Sequence, residues 1–84
     1  MEFSKELSKS EAQYKYLGLP KKTREEFPDK EEFFDVKFEG KIYKMRVNNK
    51  NCIMLTQLYE KHEFKEGETL TIKSAKNGYE FSVD

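Results

Sequence analysis

The sequence predicts a mainly β domain with two short helices, arranged as a small barrel or half-open barrel. In Phe34 to Phe38, apolar residues alternate with charged ones, as in a strand with one face in the core and the other in water. Leu70 to Ile72 and Tyr79 to Val83 show the same period of two on either side of Asn77-Gly78, a pair that favours a tight hairpin turn. The pattern of the whole chain predicts about seven short strands.

The first twenty residues predict short elements. Met1 to Leu7 has few sizeable apolar residues and predicts an edge strand or a frayed end. Ser8-Lys9-Ser10 is predicted to be a loop, and Glu11 to Lys15 to begin either a helix or a strand. Tyr14 to Leu19 is aromatic and aliphatic enough to favour a strand that ends at Pro20.

Two prolines delimit the first predicted helix. Pro20 suits the first position of a helix and Pro28 ends the segment, so we expect a helix over Lys21 to Phe27. A helix of only about two turns is not stable alone, and we expect it to be held by packing of Phe27.

A hairpin is predicted in the middle of the chain. Glu39-Gly40 forms its turn, and the second strand has a core face composed of Tyr43, Met45 and Val47. Asn48 to Asn51 then predicts a polar loop, and Cys52 to Leu55 a short apolar strand.

The stretch from Leu55 to Ile72 combines a helix, a turn at Gly67 and the start of a strand. The spacing i, i+3, i+4 and i+7 places four residues on one helical face, namely Leu55, Leu58, Tyr59 and His62. Thr56 is placed to cap the first turn of this helix.

Length and composition limit the class of protein. A chain of 84 residues predicts one domain over residues 1–84, whose core relies on seven Phe and five Tyr. The single cysteine, Cys52, excludes an intrachain disulfide and fits a reducing compartment. No apolar run approaches the ~20 residues of a membrane span. We therefore expect a cytoplasmic protein without a membrane partner.

The charge is balanced overall but unevenly distributed. Sixteen basic and sixteen acidic residues cancel, so a strongly basic nucleic-acid-binding chain is excluded. Lys21, Lys22 and Arg24 cluster, and residues 41–50 hold four cations and no acid. Residues 25–39 hold seven acids and two lysines, and residues 60–68 four further acids. The pattern fits either a solvated surface of mixed sign or a segregated binding surface.

No catalytic pattern is present. His62 is the only histidine and is expected to be a partly buried packing residue, and Cys52 in an apolar strand is expected to be an unreactive thiol. The four glycines occur singly, which excludes a phosphate-binding glycine loop. We expect neither enzymatic activity nor a metal or other cofactor.

Four segments, in this order, resemble the plant B3-type DNA-binding domains. They are Leu17 to Pro28 (LGLPKKTREEFP), Gly40 to Arg46 (GKIYKMR), Leu55 to Tyr59 (LTQLY) and Phe64 to Glu68 (FKEGE). The resemblance spans most of the chain. It departs from the family at the short loop of residues 48–51 and at Tyr59, which occupies the position of a tryptophan.

The resemblance implies a seven-stranded open pseudobarrel with two short helices, a fold shared with effector domains of some type II restriction enzymes. It also implies two arms that grip the major groove of DNA. The first arm, between the first two strands, would use Lys9, Ser10, Gln13 and Lys15. The second arm, between the fourth and fifth strands, would use Arg46, Asn48, Asn49, Lys50 and Asn51.

These residue types suit DNA chemically. Lysine and arginine neutralise phosphates, while asparagine, glutamine and arginine read base edges. Ordinary turn chemistry is the other interpretation of Asn48 to Asn51.

The predicted function is therefore a monomeric, sequence-selective module that binds double-stranded DNA without catalysis, alone or with a larger nuclease or regulator. The alternatives are a protein-interaction adaptor on the same barrel and an AbrB-like dimeric regulator. The acids of residues 25–39 and 60–68 are expected to face away from DNA, so that Arg46→Ala weakens binding and Glu31→Ala does not.

Overall fold

Seven strands, two short α-helices and one 3₁₀ helix form the computed structural model, which describes residues 1–84. In chain order they are β1 Glu2–Glu6, α1 Lys9–Tyr14, β2 Tyr16–Gly18, α2 Lys21–Arg24, β3 Phe34–Phe38, β4 Lys41–Met45, β5 Cys52–Met54, the 3₁₀ helix Thr56–Glu60, β6 Thr69–Ala75 and β7 Gly78–Val83. The predicted class, a mainly β, seven-stranded open pseudobarrel, is confirmed.

The strands form two sheets around one core. The larger sheet has the order β1-β6-β7-β3-β4, and the smaller one pairs β2 with β5. All pairs are antiparallel except β3 with β7, and a bridge between Val47 and Ile53 connects the end of β4 to β5. Strands β1 and β4 do not pair with each other, so the barrel is open.

Apolar residues from both sheets meet in a single core of 17 buried side chains. Leu17 and Ile53 come from the small sheet, and Val36, Ile72 and Phe81 from the large one, and all five are at most 2% exposed. Since both sheets contribute to it, burial of this core fixes the small sheet against the large one.

The β3–β4 hairpin forms as predicted. Phe38 pairs with Lys41, which leaves Glu39 and Gly40 as the two turn residues. Their φ angles are 49° and 83°, the left-handed values of the turn type that best matches the twist of a hairpin.

The β6–β7 hairpin also forms, but its turn lies one residue earlier than the Asn77-Gly78 pair suggests. Ala75 pairs with Gly78, so the turn consists of Lys76 and Asn77. Gly78 instead begins β7 where this strand passes close to β3. A Cβ atom on Gly78 would lie 2.3 Å from the carbonyl oxygen of Asp35.

The prediction of a loop at Ser8-Lys9-Ser10 is wrong, because these residues begin α1. The Ser8 side chain accepts a hydrogen bond from the Glu11 N–H, and the Glu11 carboxylate accepts one from the Ser8 N–H. This is a capping box. The helix ends at Lys15, which has a φ of 60°.

Helix α2 is shorter than predicted, since it ends at Arg24 and not at Phe27. The Arg24 guanidinium donates to the carbonyl oxygens of Phe27 and Pro28 and orders the residues that follow. The expected anchoring by Phe27 is confirmed: its buried ring lies 5.5 Å from that of Phe34 and 4.6 Å from that of Tyr79.

The helix predicted from Leu55 is a 3₁₀ helix of five residues. Leu55 and Leu58 are fully buried and Tyr59 is half-buried, as the predicted face requires. Thr56 does not cap it, because Leu55 occupies the N-cap position and no side chain accepts a hydrogen bond there.

A buried carboxylate joins three elements at the base of α1. Glu11 is 2% exposed and accepts hydrogen bonds from Lys5 Nζ of β1 at 2.7 Å, from the Ser8 N–H at 2.9 Å and from the Gly18 N–H of β2 at 2.8 Å. Burial alone would raise the pKa of Glu11, but these donors outweigh it and lower the pKa below its ordinary value.

We expect Gly78→Ala to destabilise the protein much more than Gly40→Ala. Both glycines have a φ that disfavours a side chain, but a Cβ atom at Gly40 would meet nothing within 4 Å. The Gly40 variant should therefore lose about 1 kcal/mol of unfolding free energy, and the Gly78 variant roughly 2 kcal/mol or more. Urea denaturation measures both, and equal losses would contradict the close approach of β7 to β3.

We expect Glu11→Gln to lower the unfolding free energy by about 1–3 kcal/mol at neutral pH, because an amide cannot accept from all three donors. The folded-state pKa of Glu11 is lowered, so the carboxylate's contribution is complete above its unfolded pKa and is lost as pH falls through the folded value. The difference from wild type should thus shrink in acid. Glu6→Gln, at an exposed site on β1, is the control and should have little effect at any pH.

Candidate nucleic-acid interface

The two predicted arms enter the small sheet at opposite ends. We call residues 8–15 the first arm and residues 46–51 the second arm. The first arm leads directly into Tyr16, which pairs with Met54, and the second leads into Cys52, which pairs with Gly18. The Tyr16–Met54 and Gly18–Cys52 pairs lie two residues apart along the β2–β5 sheet, a distance of ~7 Å.

Backbone hydrogen bonds fix the end of each arm. The Leu55 N–H donates to the carbonyl oxygen of Lys15 at 2.8 Å, and the Leu19 N–H donates to that of Asn51 at 3.0 Å. These bonds involve only the backbone of the arms and no side chain.

A groove of about 470 Å³ lies between the arms. It is lined by Tyr14, Tyr16, Asn48, Asn49, Lys50, Cys52 and Met54. A second groove of about 200 Å³ adjoins it, because Asn48 and Met54 line both, and it is completed by Met45, Arg46 and Gln57.

None of the candidate residues of the first arm lines the larger groove. Lys9, Ser10, Gln13 and Lys15 are all exposed. Lys9 and Gln13 lie one helical turn apart on α1, and Ser10 lies one turn before Tyr14, whose ring lines the groove. Lys15 Nζ lies 5.0 Å from the centre of the Tyr59 ring.

The second arm contributes Asn48, Asn49 and Lys50 to the groove. The Asn48 side-chain oxygen accepts from the N–H groups of Lys50 at 2.9 Å and Cys52 at 3.1 Å, which is the turn chemistry considered as the alternative. Asn51 adopts a left-handed φ of 59° and lies outside the groove lining. Asn49 and Asn51 are both exposed and neither side chain has a hydrogen-bond partner, but of the two only Asn49 lines the groove.

Arg46 is engaged within the chain. Its Nη1 donates to both carboxylate oxygens of Glu31, and its guanidinium lies 5.9 Å from the centre of the Phe33 ring. The expectation that the acids of residues 25–39 lie away from the arms is therefore wrong for Glu31, which the turn before β3 brings onto the second arm.

The arms carry an excess of positive charge, although the net charge of the whole chain is zero. They hold four basic residues, Lys9, Lys15, Arg46 and Lys50, and one acid, the buried Glu11 that is paired with Lys5. Lys9, Lys15 and Lys50 form no ion pair. Outside the arms, Lys41 pairs with Glu60 at 2.5 Å and Lys44 with Asp35 at 2.6 Å, but most of the other basic residues form no ion pair either.

Sequence reasoning did not assign six of the groove residues to the site: Tyr14, Tyr16, Met45, Cys52, Met54 and Gln57. Two of them are large and exposed: Tyr14 is 63% and Met54 45% exposed. Alternation in β5 was an available signal, since a buried Ile53 places Met54 on the outer face.

The expected roles of Cys52 and His62 agree with their surroundings. Burial, followed by the charge of Glu11, raises the pKa of the Cys52 thiol, which disfavours the reactive thiolate.

The His62 ring packs edge-on against Phe64 and lies 3.0 Å from the Glu68 carboxylate. Burial alone would raise the pKa of Glu68, but hydrogen bonds from the Lys65 N–H and from His62 lower it.

Two broader features bear on function. No group of three or more histidine, cysteine, aspartate or glutamate side chains is placed to hold a metal ion. None of the helices combines the length and apolar character that crossing a membrane requires.

No protein-family model matches the chain, and no curated protein matches it by sequence. The solved structures that are similar to it include the following two. The Arabidopsis FUS3–DNA complex, which contains a plant B3 domain, aligns over 96% of this chain and 93% of that chain with a TM-score of 0.75 and 19% identity. The N-terminal domain of Helicobacter pylori LlaJI.R1, a restriction-effector-type domain, aligns over 99% and 86% with a TM-score of 0.75 and 10% identity. The chain thus has the open pseudobarrel fold of these domains, as the resemblance of its motifs implied.

Proposed function

We propose that this protein is a double-stranded DNA-binding module whose two arms grip the major groove. The observation that carries the proposal is the placement of two cationic arms on either side of one groove, within a fold that also occurs in a protein solved bound to DNA. A chain without net charge binds a polyanion only if its charge is segregated in this way.

The arms offer both kinds of contact that selective DNA binding needs. Lys9, Lys15 and Lys50 are exposed and unpaired, so they neutralise phosphates. Gln13 and Asn49 present amides that suit adenine in the major groove. The major groove of DNA is ~12 Å wide and admits a helix such as α1. Phosphate contacts set the register, and the amides supply the sequence preference.

Titration of labelled duplex DNA, followed by fluorescence anisotropy, tests the proposal. Non-specific binding alone gives dissociation constants of roughly 1–100 μM at physiological salt, so we expect saturation at tens of micromolar protein or less in low salt. The affinity should fall as salt rises. Absence of binding in low salt would refute DNA binding.

Lys50→Ala distinguishes the arms from the rest of the surface. It should weaken binding to all sequences and reduce the salt slope by about 1, because one phosphate contact is lost. Lys76→Ala, in the β6–β7 turn, removes the same charge at a residue that lines neither groove and is the matched control. Equal effects of the two substitutions would contradict the assigned interface.

Selection from a random duplex pool tests sequence selectivity. We expect an enriched motif for wild type and a relaxed preference at one or two positions for Asn49→Ala, worth ~1–3 kcal/mol of discrimination. An Asn49→Ala pool identical to that of wild type would remove Asn49 from the base-reading set.

The remaining elements of the proposal concern context. We propose that the module is monomeric, lacks catalytic activity, works in the cytoplasm and acts alone or with a larger nuclease or regulator. Sedimentation separates a monomer from an AbrB-like dimer, and incubation with plasmid DNA and Mg²⁺ tests for cleavage.

Exposed apolar residues in the groove favour a second candidate, a protein-interaction adaptor. Tyr14 and Met54 present apolar surface to the larger groove. If the adaptor reading is right, Met54→Glu abolishes binding of peptides selected against the wild-type chain, and duplex DNA does not compete with those peptides.

A further inference from the structure

The contact between Glu31 and Arg46 is built by the backbone as well as by the side chains. Glu31 has a φ of 69°, and its N–H donates to the carbonyl oxygen of Val47, the residue after Arg46. The adjacent Glu32 N–H donates to the Asp29 carbonyl oxygen, which closes the turn. The turn is therefore attached to the second arm beside the guanidinium.

This geometry carries a cost that a solvated acid would avoid. A left-handed conformation is unfavourable for a residue with a long side chain and persists where its surroundings maintain it. Here the bond to Val47 and the ion pair with Arg46 maintain it. Phe33 holds the guanidinium from the same turn, since its ring centre lies 5.9 Å away.

We propose that the carboxylate of Glu31 competes with DNA for the guanidinium of Arg46. The carboxylate presents two anionic oxygens to the guanidinium, as a phosphate does, and both types of partner bind arginine in the same way. Arg46 must leave Glu31 before it contacts an acceptor on DNA. Glu31 thus lowers the affinity of the second arm for DNA, because its bonds to Arg46 are lost when the guanidinium moves to DNA. The inference rests on the proposed function.

The exchange is accessible at the surface. The side chains of Arg46 and Glu31 are 43% and 56% exposed, so DNA reaches the pair without unfolding of the turn. Exposed ion pairs of this kind shift equilibria by up to about five-fold. That range sets the size of the effect to be measured.

Comparison of Glu31→Gln with Glu32→Gln tests the proposal. Both substitutions remove one negative charge from adjacent, exposed residues, but only Glu31 pairs with Arg46. Loss of one negative charge should raise the affinity for DNA by the same factor in both variants. Glu31→Gln should tighten duplex binding by a further two- to five-fold, because it also releases Arg46. Glu31→Asn is the second variant, since asparagine tolerates the left-handed conformation and should behave likewise. Equal affinities for the Glu31 and Glu32 variants would overturn the proposal.

A double-mutant cycle with Arg46→Ala isolates the pair. Arg46→Ala should weaken binding more in the Glu31→Gln background than in wild type, because the guanidinium is then free of its competitor. The same loss in both backgrounds would overturn the proposal while leaving DNA binding intact. If neither wild type nor Glu31→Gln binds duplex in low salt, the proposed function itself fails and this inference fails with it.

Discussion

The buried carboxylate of Glu11 is the contact on which the arrangement of the first arm depends. It accepts from β1, from the start of α1 and from β2 at once, so it sets the angle at which the helix leaves the barrel. An unpaired buried charge would be costly, and a partly satisfied one would be worse than an apolar contact. Three donors satisfy Glu11, and the same donors lower its pKa and keep it ionised. Because Glu11 is the only acidic residue of α1 and is buried, the outer face of α1 carries no acidic side chain.

The charge distribution follows from that arrangement. The only acid of the first arm is neutralised inside the protein, while Lys9 and Lys15 remain exposed. On the second arm the balance is different, because an acid from a distant turn reaches Arg46. One arm is therefore cationic, and the other is partly neutralised by the ion pair between Arg46 and Glu31. The net charge of the whole chain does not reveal this difference between the arms, because the difference depends on where the charged residues lie in the fold and not on how many there are.

The sequence predicts local elements of this fold better than contacts between them. Alternation identifies β3 and β4 because one face of each is buried. The capping box at Ser8 and Glu11 was legible in the sequence, yet the polar character of Ser8-Lys9-Ser10 suggested a loop. The Asn77-Gly78 pair predicts the hairpin correctly but not its register, because Gly78 is required by the approach of β3, which lies some forty residues away in the chain. The Glu31–Arg46 pair is likewise invisible locally, and charge runs alone placed Glu31 on the wrong side.

The arms are positioned by features that tolerate sequence change. Backbone bonds from Leu19 and Leu55 hold the ends of the arms, and a core of interchangeable apolar residues holds the small sheet. The fold alone does not specify what the arms contact. If the proposed function holds, it depends on a few exposed groups, namely the lysines of both arms, the amide of Asn49 and the guanidinium of Arg46, and on how readily Arg46 leaves Glu31.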